Sequence, residues 1–198
     1  MEVLNKVLYW ISTGLMLPVV VILIFLFLRG LAALGSFYGA YVSRLKVSKK
    51  LDVYLSNVAS EGLKNQETPT GKGDVFTYLD YLLKAEESMV NREKVLADFE
   101  LAMGKKIATT KNMSKLGPVL GLMGTLIPMG PALVGLGSGD IASMAENMQV
   151  AFSTTVVGLI VGAIGYILTE VKQRWFAKDL SQLHYIADLI NEENESAA

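Results

Sequence analysis

The sequence predicts an all-α integral membrane protein, with three transmembrane helices and long cytoplasmic helical extensions, and three observations carry that expectation. The 198 residues include 18 Lys+Arg and 19 Asp+Glu, yet the 22 residues between Lys6 and Arg29, the 24 between Lys115 and Asp140 and the 23 between Glu146 and Glu170 carry no charge. A hydrocarbon core about 30 Å thick is crossed by about 20 apolar helical residues, so each window is long enough to span it. Basic residues are also segregated: 14 lie from Arg29 through Lys115 and none in 139–149. Finally, there is no cysteine and one histidine, His184, which argues against a disulfide framework, a thiolate metal site or a histidine-based triad. A formal net charge of −1 gives no pull toward nucleic acid. No enzyme activity, metal or cofactor is expected.

The elements follow in order. Residues 1–30 hold the first span, whose run Val19 to Leu28 has no polar side-chain atom and reads as lipid-facing, with Tyr9 and Trp10 as an interfacial anchor. Its apolar run is longer than a signal-peptide core and ends at Arg29 rather than at a small-residue cleavage site, so a retained helix is expected. The positive-inside rule then places the N-terminus outside, the long basic segment in the cytoplasm, the short turn outside and the C-terminus in the cytoplasm.

Residues 31–114 form the cytoplasmic helical region. A small-residue stripe, Gly30, Gly35 and Gly39, precedes the basic cluster Arg44, Lys46, Lys49 and Lys50, which reads as an orientation determinant touching anionic lipid. Leu51, Tyr54, Leu55, Val58 and Leu63 recur with a helical period, and Thr68 to Asp74 break it. Gly71-Lys72-Gly73 lacks the spacing of a phosphate-cradling loop and reads as a turn. From Val75 to about Met113 one long helix is expected, running on into the second span, with Arg92 among its exposed charges. Residues 171–198 are the cytoplasmic tail: Phe176, Leu180, Leu183, Tyr185, Ala187 and Ile190 form a packing stripe, His184 is a surface residue, and 192–198 are expected to be disordered.

The second span, 115–138, carries Pro118, Pro128 and Pro131 among Gly117, Gly121, Gly124 and Gly130. Each proline removes a backbone hydrogen bond that hydrocarbon cannot replace, so this helix must face protein or water. A short external turn is expected over 139–146. In the third span, 147–170, Ala151, Thr155, Gly158, Gly162, Gly165 and Thr169 recur every three or four residues on one face, and Phe152, Val156, Leu159, Ile160, Val161, Ile164 and Ile167 are assigned to the other. Such a stripe is first a packing seam, in which threonines bond back to their own helix. A polar path is the second reading, favoured by hydroxyls midway along both spans, at Thr125 and at Thr154-Thr155. None of the three charge-free windows inside these spans contains Asp, Glu, His, Lys or Arg. An ion crossing here needs an ionisable group from another polypeptide.

The segments Gly117-Pro118-Val119-Leu120-Gly121-Leu122-Met123-Gly124-Thr125-Leu126 and Ala151-Phe152-Ser153-Thr154-Thr155-Val156-Val157-Gly158-Leu159 resemble the MotA/TolQ/ExbB proton-channel family. Its pattern is A-P-L-L-G-L-L-G-T in the penultimate helix and A-L-x-x-T-x-x-G-L-x-x-A-I in the last. Three spans with a large internal loop are closest to the TolQ/ExbB branch. The resemblance implies a multi-pass protein of the inner cell membrane that assembles as a pentameric ring around a single-span partner similar to ExbD, TolR or MotB. That partner supplies the membrane carboxylate. It implies pore-lining roles for Thr125 and Thr155, and pore-shaping or helix-packing roles for Pro118, Gly121, Gly124, Thr154, Gly158 and Gly162, with Thr154 turned toward a neighbouring subunit. Many ExbB-like members have a glutamate where this chain has Val150, which leaves Glu146, one turn earlier, as a pore-mouth candidate.

The function expected is a pore or stator subunit of an ion-gradient-driven motor that conducts protons with its single-span partner. The alternative is a non-conducting oligomeric membrane scaffold whose small-residue stripe is only a subunit seam. A small transporter is weakened because no span carries a substrate counter-charge, and a membrane enzyme because no nucleophile and base can be assembled from these spans.

Overall fold

The computed structural model describes residues 2–61, 69, 71, 73–85 and 88–197. Four helices are present: α1 (Glu2–Glu61), α2 (Asp74–Lys84), α3 (Met89–Ser138) and α4 (Ile141–Ala197). Three of them, α1, α3 and α4, are long and apolar enough to cross a membrane, which fits a membrane protein. The chain divides into two compact units, Met1–Gly35 with Thr109–Thr169, and Ser36–Ala108 with Glu170–Ala198.

In the first unit, α1 buries Val19 and Leu23 and leaves Val21, Ile22, Ile24, Phe25 and Leu28 exposed, as a helix wrapped by hydrocarbon would. Its Gly30 approaches the Met113 and Ile164 side chains, whereas Gly35 has open space beside it. The connection from α3 to α4 is tighter than the turn expected over 139–146. Gly139 adopts φ +77°, its N–H donates to the Leu136 carbonyl (3.2 Å), and the Asp140 N–H donates to the Gly135 carbonyl (2.8 Å). These two bonds form a Schellman closure, which requires the left-handed conformation that glycine adopts without strain. Asp140 then caps α4 by accepting the Ser143 N–H at 3.0 Å, so residues 141–146 are already helical.

In the second unit, each helix contributes a stripe at three- and four-residue spacing: Val47, Leu51, Tyr54 and Val58 from α1; Val75, Leu79 and Leu82 from α2; Leu96 and Phe99 from α3; Leu183, Ile186 and Ile190 from α4. Each fully buried Leu, Ile or Phe is worth about 1.5–3 kcal/mol, and this cluster is the soluble-type core of the molecule. Phe99 holds its centre, edge-on to Tyr78 at 5.1 Å and tilted against Phe176 at 5.7 Å.

The helix expected from Val75 to Met113 is two helices, because Ala85 closes α2 by donating its N–H toward Leu82 and Tyr81, and Ser88 opens α3 by accepting the Asn91 N–H. Arg92 is buried rather than exposed: its guanidinium donates to the Ala85 carbonyl (3.3 Å) and to the Asn191 side-chain oxygen, tying the α2 end to α4. In the tail, Ile186 occupies the core position expected for Tyr185, which is exposed, and α4 continues as helix to Ala197 where disorder was expected. His184 is exposed, as expected. Leu63, Glu86 and, in the 68–74 loop, Thr68, Thr70 and Lys72 lie outside the described residues, as does the side chain of Tyr9.

Arg44 is a different kind of correction. It does not point to lipid: its guanidinium pairs with Asp179 and donates to the Trp175 carbonyl at 3.2 Å, with both charged side chains largely buried. Burial outweighs Arg44 at Asp179 and raises that carboxyl above its usual range. Asp52 behaves oppositely. It accepts hydrogen bonds from Lys178 (2.9 Å) and Gln182 (2.7 Å), and the Lys178 bond holds its carboxyl below the usual value.

Candidate functional site

The first unit is built on backbone contact between α3 and α4. A methyl group added at Gly158 would stand 2.6 Å from the Gly117 carbonyl oxygen and 2.7 Å from the Gly121 Cα, and one at Gly117 would meet the Gly158 oxygen and the Gly162 nitrogen at 2.7 Å. One at Gly124 would lie 2.6 Å from the Thr154 Cβ and Oγ1. Helices in hydrocarbon gain nothing from excluding lipid, so their association comes from close van der Waals packing, which small residues permit. Val161, assigned by periodicity to the opposite face, belongs to this seam: it is fully buried and faces Gly117. Thr154 also belongs to it. It is buried against Gly124 of its own chain rather than turned toward a neighbour, and its hydroxyl donates to the Val150 and Ala151 carbonyls.

Gly124 facing Thr154 and Gly117 facing Val161 fix the levels of an antiparallel pair. In such a pair, a residue one position beyond a facing pair falls on the same flank in both helices, because the local two-fold axis is perpendicular to the plane of the helix axes. Pro118 and Gly162 illustrate this: each lies one position beyond the Gly117–Val161 level, and a methyl at Gly162 would meet the Pro118 ring at 2.6 Å. Thr125 and Thr155 stand in the same relation to Gly124 and Thr154. The two threonines therefore share one flank of the α3–α4 hairpin.

α1 occupies the other flank. Its Gly30 meets Met113 and Ile164, one position before the seam, and Val20, Leu23 and Ile24 border a 490 Å³ cleft whose α4 wall includes Glu146, Gln149, Val150, Ser153 and Val157. Among the described residues the threonine flank is thus uncovered, bordered by exposed Leu122, Leu126, Phe152 and Leu159. The structure brings Thr125 and Thr155 to a common surface with Pro118 and Gly162, and it places Gly121, Gly124, Thr154 and Gly158 in the seam behind. Glu146 lines the cleft on the α1 flank, with Thr154 at its edge, and not the flank of Thr125 and Thr155.

Both flank hydroxyls are half-buried and donate into their own helix, Thr125 to the Leu122 carbonyl at 2.7 Å and Thr155 to the Ala151 carbonyl at 3.1 Å. With the proton so engaged, each oxygen offers its lone pairs outward. Such a surface can accept hydrogen bonds from water or from a protonated carboxyl, and it has no group that ionises near neutral pH.

A comparison with curated proteins returns no match. A family model described as the MotA/TolQ/ExbB proton channel family matches residues 56–184, about two-thirds of the 198 residues and well beyond the two motif-bearing spans. With its seam glycines, its hydroxyl flank and a match of that extent, the chain belongs to the MotA/TolQ/ExbB proton channel family.

Proposed function

We propose that this chain is the pore and stator subunit of an ion-gradient-driven motor of the TolQ/ExbB type. Several copies, five by the family resemblance, surround a single-span partner that brings the membrane carboxylate. The observation that carries this reading is the uncovered flank on which Thr125 and Thr155 present hydroxyl oxygens while the charge-free windows contain no Asp, Glu, His, Lys or Arg. A protonated partner carboxyl can donate to these oxygens and, once ionised, has no counter-charge in this chain to hold it. It therefore leaves the hydroxyl surface when it loses its proton, which couples proton transfer to movement of the partner.

The scaffold reading needs the small-residue stripe as a seam between subunits. That stripe is occupied inside the chain by α3 against α4, so it lends the scaffold no support. The test is proton flux into vesicles holding the chain together with its single-span partner, comparing the native chain with Thr155→Val. Loss of one acceptor is expected to lower flux about tenfold or more with assembly unchanged. Undiminished flux in the variant would sink the proposal.

A further inference from the structure

The second unit contains a cavity of 430 Å³, within the size range of small-molecule sites. Three cationic side chains and two carboxylates line it, and they are not equivalent. Arg44 is committed to Asp179, and Lys106 to Asp74 at 2.5 Å. Lys172, half-buried, forms no ion pair among the described residues, and burial depresses its pKa. The cavity therefore carries one uncompensated positive charge, held where desolvation makes it costly. Most of the remaining wall is carbon, including Trp175, which stacks on Phe37 at 5.4 Å with ring planes 4° apart.

Two features point to an amphiphile rather than a free anion. Lys172 stands three residues past Thr169, the last residue of the charge-free third window, which is headgroup depth for a helix leaving a bilayer. On α1, the residues beside and between those lining the cavity (Ala40, Ser43, Arg44 and Val47) include Tyr38, Tyr41, Val42 and Leu45, all exposed. Aromatic side chains of this kind are enriched at the membrane interface, where one end is dry and the other wet.

We propose that this cavity binds the phosphate of an anionic phospholipid headgroup, with Lys172 as its counter-charge and the exposed α1 face carrying the glycerol end of the acyl chains. Headgroup binding would tie α1, α3 and α4 of the second unit together at one point. It is a site distinct from the threonine flank.

The test uses the full-length protein, purified from nanodiscs of phosphatidylcholine with phosphatidylglycerol as the minor component, with retained phosphatidylglycerol counted by native mass spectrometry. Lys172→Gln is expected to reduce retention about fivefold, the worth of one basic contact with an anionic leaflet. Lys50→Gln, on the same face of the bilayer but outside the cavity, is expected to leave retention unchanged, and Lys172→Arg to preserve it. Ala40→Trp, which fills the mouth and removes no ion pair, is expected to abolish retention and guards against a folding defect in the first variant. Equal losses for Lys172→Gln and Lys50→Gln would reduce the effect to diffuse surface charge and overturn the site, as would full retention in Ala40→Trp. Displacement of phosphatidylglycerol by inorganic phosphate at fixed ionic strength would overturn the lipid assignment.

Discussion

Thr125 and Thr155 look alike to Thr154 in the sequence, and what separates them is which side of one helix pair they fall on. All three hydroxyls donate to carbonyls of their own helix, but Thr154 is sealed against Gly124 while the other two keep an open side. Thr155→Ser keeps the acceptor oxygen, so it is expected to retain the flux that Thr155→Val loses, measured in the same vesicles; loss in both would assign the effect to packing of the methyl group. The charged residues of the second unit make a separate prediction about pH. Asp52, with its carboxyl lowered by Lys178, contributes stability that is present above its ordinary value of 3.8 and is lost as pH falls through its lower folded value. Asp179, raised by burial, does the reverse: its contribution is full below 3.8 and declines as pH rises through its folded value. Replacing Asp179 by Asn is therefore expected to flatten the pH dependence of the unfolding midpoint just above 3.8, and Asp52→Asn to flatten it below. Arg44→Gln strands a buried carboxylate, and a loss of about 3–5 kcal/mol is expected in denaturant unfolding at neutral pH.

At the scale of elements, glycines of equal standing in the sequence differ by what stands opposite them. Gly158→Ala puts a methyl against backbone of α3, which has no rotamer to move, so α3 and α4 must separate; a destabilisation of about 1–3 kcal/mol is expected, read as a lower thermal midpoint in detergent. Gly104, in the exposed middle of α3, has nothing within 4 Å, and Gly104→Ala is expected to stabilise by about 0.5–1 kcal/mol through helix propensity alone. Helix starts and stops were unevenly legible. Gly139-Asp140 announces its turn, because a positive φ followed by an N-cap has a residue signature. The break at Ala85 to Ser88 does not, because the apolar period continues across it and its closure depends on Arg92 reaching back from α3 and across to Asn191 on α4.

For the whole molecule, the absence of acidic and basic side chains from the three charge-free windows makes flux conditional on a second polypeptide. Vesicles with the chain alone are expected to show no proton flux above empty vesicles, and flux is expected to appear when a single-span protein bearing a membrane carboxylate is added; flux without it would contradict the division of labour. The sequence by itself determined the three spans, their family motifs and the lack of an intramembrane charge. These are local properties, since charge-free length and motif spacing need no knowledge of what lies opposite. The tertiary structure alone decided that the glycine stripe is an internal seam, that Val161 and Thr154 lie within it, and that Glu146 sits on the α1 flank rather than on the flank of Thr125 and Thr155. It likewise withdrew Arg44 from the basic cluster by pairing it with Asp179, 135 residues away. Periodicity gives the angle at which a residue leaves its own helix, and only the packing of helices gives what that angle faces.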